Sequence, residues 1–199
     1  MKIYILRHED RTQDCSFFAP LTEKGLNNSE KLIKILKENQ INMIFSSPFI
    51  RTLQTINPFL KATKQLVNLE YGLSEIYHSD IIPPKSYGII LPEYLAKNYN
   101  YNPDYVSLIN SNQIIYPEKT KNCENRMKIV IKNIIKKYYK YDLNILIVTH
   151  QTLCKSIIKI INKFSLEYKN KLNNELLSKY GKGKICLIFN NDWTFKKIN

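Results

Sequence analysis

Two apolar, β-branched runs each end on a histidine. One lies near the start of the chain, in Ile5-Leu6-Arg7-His8-Glu9-Asp10-Arg11, and the other far along it, in Leu146-Ile147-Val148-Thr149-His150-Gln151. Continuous runs of this kind suit strands buried on both faces of a parallel sheet. Polar sequence follows each histidine, so both sit where a strand gives way to a loop or helix. In an open α/β sheet, residues just past the carboxyl ends of strands meet in one crevice. Two histidines at two such ends therefore point to one site, and Arg7 beside the first points to an anionic substrate.

The segments between these runs alternate in period. Lys2 to Leu6 reads as the first strand, followed by a polar loop to Pro20. Thr22 has the chemistry of a helix N-cap, and Leu32, Ile33 and Leu36 keep helical spacing to about Lys37. Ile41 to Phe45 reads as a second strand. Ser47-Pro48 then reads as a cap with proline at the first helical position, opening a helix through Leu60. Val67 to Leu69 is a third strand. From Tyr77 to Pro117 no period holds, and prolines fall at 83, 84, 92, 103 and 117. This stretch is expected to be a partly helical cap or insertion over the site.

The second half is more regular. Met127, Val130, Ile131, Ile134, Ile135 and Tyr138 form one helical face. Leu143 to Thr149 is a strand, and Leu153, Ile157, Ile160, Ile161 and Phe164 restore helical spacing. Gly181 and Gly183 precede a strand from Ile185 to Phe189, and Asn191-Asp192 separates it from Trp193 to Ile198 in a terminal hairpin. Strands alternating with helices predict a three-layer α/β/α sandwich with a mostly parallel central sheet and an antiparallel edge strand. With 199 residues and neither repeats nor a linker, residues 1–199 are expected to form one domain.

Charge and cysteine usage narrow the class. The formal net charge is +13, with 30 Lys and Arg against 17 Asp and Glu. The lysines are spread along helical segments, as at Lys132, Lys136, Lys137 and Lys140, with no concentrated stripe, so nucleic acid is not the expected partner. A basic field instead steers anionic substrates. Cys15, Cys123, Cys154 and Cys186 are scattered with no metal-ligand spacing and are expected to be free thiols. No run is long enough to cross a bilayer and no signal pattern opens the chain, which predicts a cytoplasmic protein without membrane contact.

Arg7, His8, Arg51, Glu75 and His150 are the residues that would carry chemistry. Arginine forks clamp phosphate oxygens and stay charged. A neutral imidazole is a nucleophile towards phosphorus. Glu75, in Leu73-Ser74-Glu75, follows the third strand and could protonate a leaving group. Glu70 and His78 are nearby alternatives as the acid, and a metal held by His8, His78 and His150 is disfavoured by the adjacent arginines.

These segments resemble the histidine phosphatase superfamily, the phosphoglycerate-mutase-like proteins. Leu6-Arg7-His8-Glu9 resembles its Arg-His-Gly signature, and Leu21-Thr22-Glu23-Lys24-Gly25 its Leu-Thr-x-x-Gly segment. Ser46-Ser47-Pro48-Phe49-Ile50-Arg51-Thr52-Leu53-Gln54-Thr55 is similar to its Ser-Ser-Pro-x-x-Arg-x-x-Gln-Thr segment. Leu73-Ser74-Glu75, Cys123-Glu124-Asn125-Arg126 and Val148-Thr149-His150 follow in family order. The resemblance implies that His8 is transiently phosphorylated, that Arg7, Arg51 and His150 form the phosphate pocket, and that Glu75 is the proton donor. It implies a further pocket arginine at Arg11, and no metal or nucleotide cofactor.

The activity implied is hydrolysis of a phosphomonoester, on a phosphorylated small molecule or phosphopeptide, by a monomer or homodimer. Two alternatives use the same site: a phosphoglycerate mutase, which the short chain disfavours, and an inactive module that binds phosphorylated ligands. One departure stands out. The glycine of the Arg-His-Gly signature is Glu9 here, and its side chain is expected to alternate away from the pocket along an extended backbone.

Overall fold

The computed structural model describes residues 1–162, 180–189 and 195–198. The strands are β1 (Lys2–Arg7), β2 (Met43–Ser46), β3 (Asn68–Leu69), β4 (Asn144–Thr149), β5 (Ile185–Phe189) and β6 (Phe195–Lys197). The helices are α1 (Glu23–Glu38), α2 (Ile50–Thr63), the single-turn α3 (Glu93–Ala96), α4 (Thr120–Tyr138) and α5 (Gln151–Asn162). The sheet order is β3-β2-β4-β1-β5-β6. The first four strands are mutually parallel, while β5 runs antiparallel to β1 and β6 antiparallel to β5. The expected hairpin therefore extends the sheet by two strands beyond β1. Its turn at 191–192, with Trp193 and Phe164, lies outside the described residues.

Strand periodicity sorts the core into two faces. Tyr4, Leu6, Ile44, Leu146 and Val148 pack with Leu32 and Leu36 of α1 and Leu53, Ile56 and Leu60 of α2. Their neighbours Ile3, Ile5, Phe45, Ile145 and Ile147 point the other way. They meet Met127, Val130, Ile131 and Ile134 of α4 and Leu153, Ile157 and Ile161 of α5. Each fully buried aliphatic side chain contributes roughly 1.5–3 kcal/mol. The three-layer α/β/α sandwich follows from this alternation.

Between β3 and α4 the chain forms 3-10 turns at Tyr71–Leu73, Pro84–Ser86, Lys97–Tyr99 and Ser111–Gln113, together with α3. Its buried residues Tyr77, Ile82, Leu91, Ala96 and Ile114 join the first face. Among the described residues no helix is long and apolar enough to cross a membrane.

The helix starts divide into one that follows the sequence reading and one that does not. Thr22 caps α1, its side chain accepting from the Gly25 amide at 3.1 Å. Gly25 is required there, because a Cβ would lie 2.1 Å from the Asp10 carbonyl oxygen. Ser47, by contrast, does not cap α2. The N-cap is Phe49, without a side-chain bond, and the helix begins at Ile50, so Pro48 stands before it. The Ser47 hydroxyl accepts from the Phe49 amide at 3.4 Å, outside the helix, and pairs with the ring of His150 at 2.9 Å.

β1 sends the chain to α1 on one face, and the adjacent β4 sends it to α5 on the other. The carboxyl ends of these two strands thus flank a topological switch point, where open α/β sheets bind ligands.

Candidate active site

Strand register brings the two histidines together. β1 pairs with β4 from Lys2↔Asn144 to Arg7↔Thr149, and the ladder continues as the His8 amide donates to the Thr149 carbonyl at 2.9 Å. On the far side of β4, the Ser47 amide donates to the Val148 carbonyl at 3.0 Å. His8 and His150 face each other edge-on, with ring centroids 5.3 Å apart. Both are buried, at 3% and 0% exposure.

Hydrogen bonding assigns their free nitrogens. The Nδ1 of His8 lies 2.7 Å from the backbone oxygen of Glu9, an acceptor only, so Nδ1 carries the proton and Nε2 keeps its lone pair. Burial, with the Arg51 and Arg7 charges, holds the His8 pKa well below the usual histidine value, so the imidazole is neutral. In His150 the Nε2 atom is engaged by Ser47, while Nδ1 is buried with no hydrogen-bond partner among the described residues. Burial, then the Arg51 charge, keeps His150 neutral as well.

Three arginines approach this pair. Arg51, 1% exposed, lies over the Phe49 ring at 4.5 Å and donates from Nη1 to the Ser16 carbonyl at 2.9 Å. Burial pushes its pKa down to about 10, which leaves it charged at neutral pH. Arg7 donates from Nη1 to the Tyr180 carbonyl at 2.7 Å. The Nε atoms of Arg7 and Arg51 are buried without a hydrogen-bond partner among the described residues. Arg11, expected as a further pocket arginine, turns its guanidinium to its own loop. Its Nη1 donates to the carbonyls of Thr12, Gln13 and Asp14 at 2.6, 3.0 and 3.2 Å, and its Nη2 to the Cys15 sulfur. Its charge still reaches the site and adds to the lowering of the His8 pKa.

Glu75 completes the group. Its Oε2 lies 3.6 Å from Nδ1 of His150, and its Oε1 accepts from the Ile76 amide at 3.1 Å. Burial raises its pKa above the usual carboxylate value, against the opposing Arg51 charge, which shifts its equilibrium towards the protonated form. The other candidate acids are used elsewhere. Glu70 accepts from the amides of Gly72, Leu108 and Ile109 and the hydroxyls of Tyr105 and Ser107, which fastens the 105–109 loop. His78 lies outside the core, next to Asp80. Among the described residues no three His, Cys, Asp or Glu side chains cluster as metal ligands.

Glu9 leaves the pocket unobstructed. Its amide donates to Thr55 Oγ1 at 3.0 Å, and its carboxylate turns towards the Asn28 side chain and the Asp10 amide. There it fills the space beside Gly183, where a Cβ would come within 1.7 Å of Oε1.

Sequence reasoning missed two groups. Ser47 was read only as a cap, yet it orients His150. Arg126 was noted only for its position in a motif, yet with Glu118 it grips the segment that carries Glu75. The signal for Arg126 was available: a charged residue in the stripe Cys123, Met127, Val130 and Ile134, three residues after the first and four before the third.

The profile of the histidine phosphatase superfamily (branch 1) matches residues 8–198. A segment is 37% identical over 78 residues to the transcription factor tau 55 kDa subunit of Saccharomyces cerevisiae; it covers 36% of this chain and 18% of that protein, so the match spans about a fifth of that relative's length. The fold is similar to that of the ecdysone phosphate phosphatase from Bombix mori, solved with tungstate. That likeness has a TM-score of 0.80, 14% identity, and coverage of 98% of this chain and 91% of the other. It is also similar to mycobacterial glucosyl-3-phosphoglycerate phosphatase, with a TM-score of 0.64, 14% identity, and coverage of 98% and 96%.

Proposed function

This chain belongs to the histidine phosphatase superfamily, and on that premise we propose that it hydrolyses a phosphomonoester through a phosphohistidine on His8. The observation that carries the reading is a set of buried nitrogens on residues whose charges or rings bear on His8. Nε of Arg7, Nε of Arg51 and Nδ1 of His150 are buried without a hydrogen-bond partner among the described residues. Buried donors normally have partners, and a phosphoryl group with several acceptor oxygens supplies them.

The reaction runs in two displacements. Nε2 of His8 attacks phosphorus with its lone pair, a P–N bond forms, and the bond to the leaving oxygen breaks. The protonated Glu75 gives its proton to that oxygen, and the alcohol departs. Arg7 and Arg51 stabilise charge on the equatorial oxygens, and His150 donates to one of them. In the second step water attacks phosphorus while the Glu75 carboxylate takes its proton. The P–N bond breaks, its electron pair returns to His8, and phosphate leaves.

Burial favours a neutral His8 and moves Glu75 in the direction a proton donor needs. The substrate is a phosphorylated small molecule or phosphopeptide, and residues 77–117 form the cap that selects it. The basic net charge favours an anionic ligand through its long-range field.

Rapid mixing with a labelled phosphomonoester tests this reading. An acid-labile label is expected on wild-type protein and none on His8→Ala, whose turnover should fall to background. A folded wild-type protein that neither takes the label nor releases phosphate would overturn it. Interconversion of phosphoglycerates far faster than phosphate release would make the protein a mutase.

A further inference from the structure

We infer that Arg126 and Glu118 are positioning residues that hold the proton donor Glu75 against His150, an inference that rests on the phosphatase reading above. Arg126 lies on the buried side of α4, 6% exposed, with Glu118 at 2%. All five of its N–H groups are engaged. Nε donates to Oε1 of Glu118 at 2.7 Å, and Nη2 to Oε2 of Glu118 at 2.8 Å and the Glu75 carbonyl at 3.1 Å. Nη1 donates to the carbonyls of Gly72 at 2.6 Å and Ser74 at 2.9 Å.

The one carbonyl this leaves out, on Leu73, accepts from the hydroxyl of Thr149 at 2.8 Å. Thr149 immediately precedes His150. Four consecutive carbonyls, from 72 to 75, are thus held by buried side chains, one of them from the strand that carries the second histidine. Glu118 also closes the segment from its other end. Its amide donates to the Tyr77 carbonyl at 2.8 Å, and its Oε2 accepts from the Tyr77 amide at 3.1 Å.

The Glu75 carboxyl itself makes little contact. Among the described residues its one hydrogen bond is to the adjacent Ile76 amide, and Nδ1 of His150 stands just beyond bonding distance. The backbone therefore sets where the acid sits, and Arg126 sets the backbone. Burying an ion pair costs desolvation that seldom repays itself in stability, so this pair is better explained by the geometry it imposes. A misplaced acid fails most where the leaving group most needs a proton.

The test compares an alkyl phosphate, a poor leaving group, with para-nitrophenyl phosphate, a good one, in wild type, Arg126→Lys, Glu75→Gln and the double variant. Lysine keeps the charge opposite Glu118, so the variant should fold, but it cannot span all five acceptor atoms. Arg126→Lys should lower kcat/KM for the alkyl phosphate about tenfold more than for the aryl ester. In the Glu75→Gln background it should add no further selective loss. Equal loss on both substrates, or a selective loss that adds fully to that of Glu75→Gln, would overturn the inference. If wild type itself neither hydrolyses nor labels, the phosphatase reading fails, and a crystal structure of Arg126→Lys decides the positioning role. Displacement of residues 72–75 upholds it, and an unmoved segment overturns it.

Discussion

Glu9 and Gly183 occupy one space. A Cβ on Gly183 would sit 1.7 Å from Oε1 of Glu9, and Gly183 holds a left-handed φ of +64°. The acidic side chain that departs from the Arg-His-Gly signature is thus accommodated by a residue of the turn before β5, which also donates its amide to the Arg7 carbonyl at 3.1 Å. The departure moves negative charge towards α1 and that turn and leaves the His8 ring clear.

Gly183→Ala should therefore destabilise the fold through two separable costs, overlap with Glu9 and a left-handed backbone. The backbone cost alone is roughly 1–2 kcal/mol. Glu9→Gly combined with Gly183→Ala should recover the overlap and leave only that remainder. Urea unfolding of the four proteins measures the coupling. Strict additivity of the two substitutions would show that the side chains do not compete.

The pH–rate profile should be bell-shaped, with each limb assigned. His8 acts when neutral, and burial lowers its pKa, so the rate falls with acid only well below the usual histidine value of about 6.5. Glu75 acts when protonated, and burial raises its pKa, so the rate falls as pH rises through a value above the usual carboxylate of about 4.3. Glu75→Gln should remove the alkaline limb for alkyl phosphates and leave the acid limb in place. An unchanged alkaline limb would show that another group gives the proton.

Stability should also depend on pH through the buried histidines. In the unfolded chain both protonate below about pH 6.5, while in the folded chain both stay neutral well below that. The unfolded state then binds more protons, so stability falls as pH drops from 6.5 towards the folded values, by up to about 1.4 kcal/mol per histidine per pH unit. Glu75 acts in the opposite sense, because its raised pKa makes the folded state the better proton binder above the usual carboxylate value. His8→Asn should remove one histidine's share of the slope, measured by denaturant unfolding between pH 5 and 7. An unaltered slope would mean that His8 titrates alike in both states.

Ser47→Ala should leave His150 without its Nε2 partner in a fully buried position. The cost is about 1–3 kcal/mol of stability, and kcat should fall for alkyl and aryl esters alike, because the phosphoryl partner is disturbed and the acid is not. Thermal unfolding with paired kinetics reads both effects. A loss confined to alkyl esters would assign Ser47 to the acid.

Much of this was legible in sequence. Buried parallel strands produce unbroken apolar runs, and half-buried helices produce stripes, so β1, β4, α1, α4 and both histidines followed from local pattern. Other features depend on partners far along the chain. Ser47-Pro48 has the local chemistry of a helix start, but the helix opens at Ile50 and the Ser47 hydroxyl also meets the ring of His150, far along the chain. The direction of Glu9 depends on a glycine near the other end of the chain, and that of Arg11 on the carbonyls of its own loop. Residues 77–117 gave no period because they are built from 3-10 turns and one helical turn, held partly by the buried Glu70 carboxylate.

The parallel pairing of β1 with β4 has a consequence for how such a site can diversify. Neighbouring strands stand about 4.8 Å apart whatever their sequences, and the His8 and His150 rings lie 5.3 Å apart at the end of that ladder. The distance between the two histidines is thus inherited from backbone hydrogen bonding. The long intervening chain can lengthen, shorten or be exchanged without retuning that distance. Grafting a different 77–117 segment onto this sheet should alter which phosphate ester is chosen and leave the chemistry of its cleavage intact.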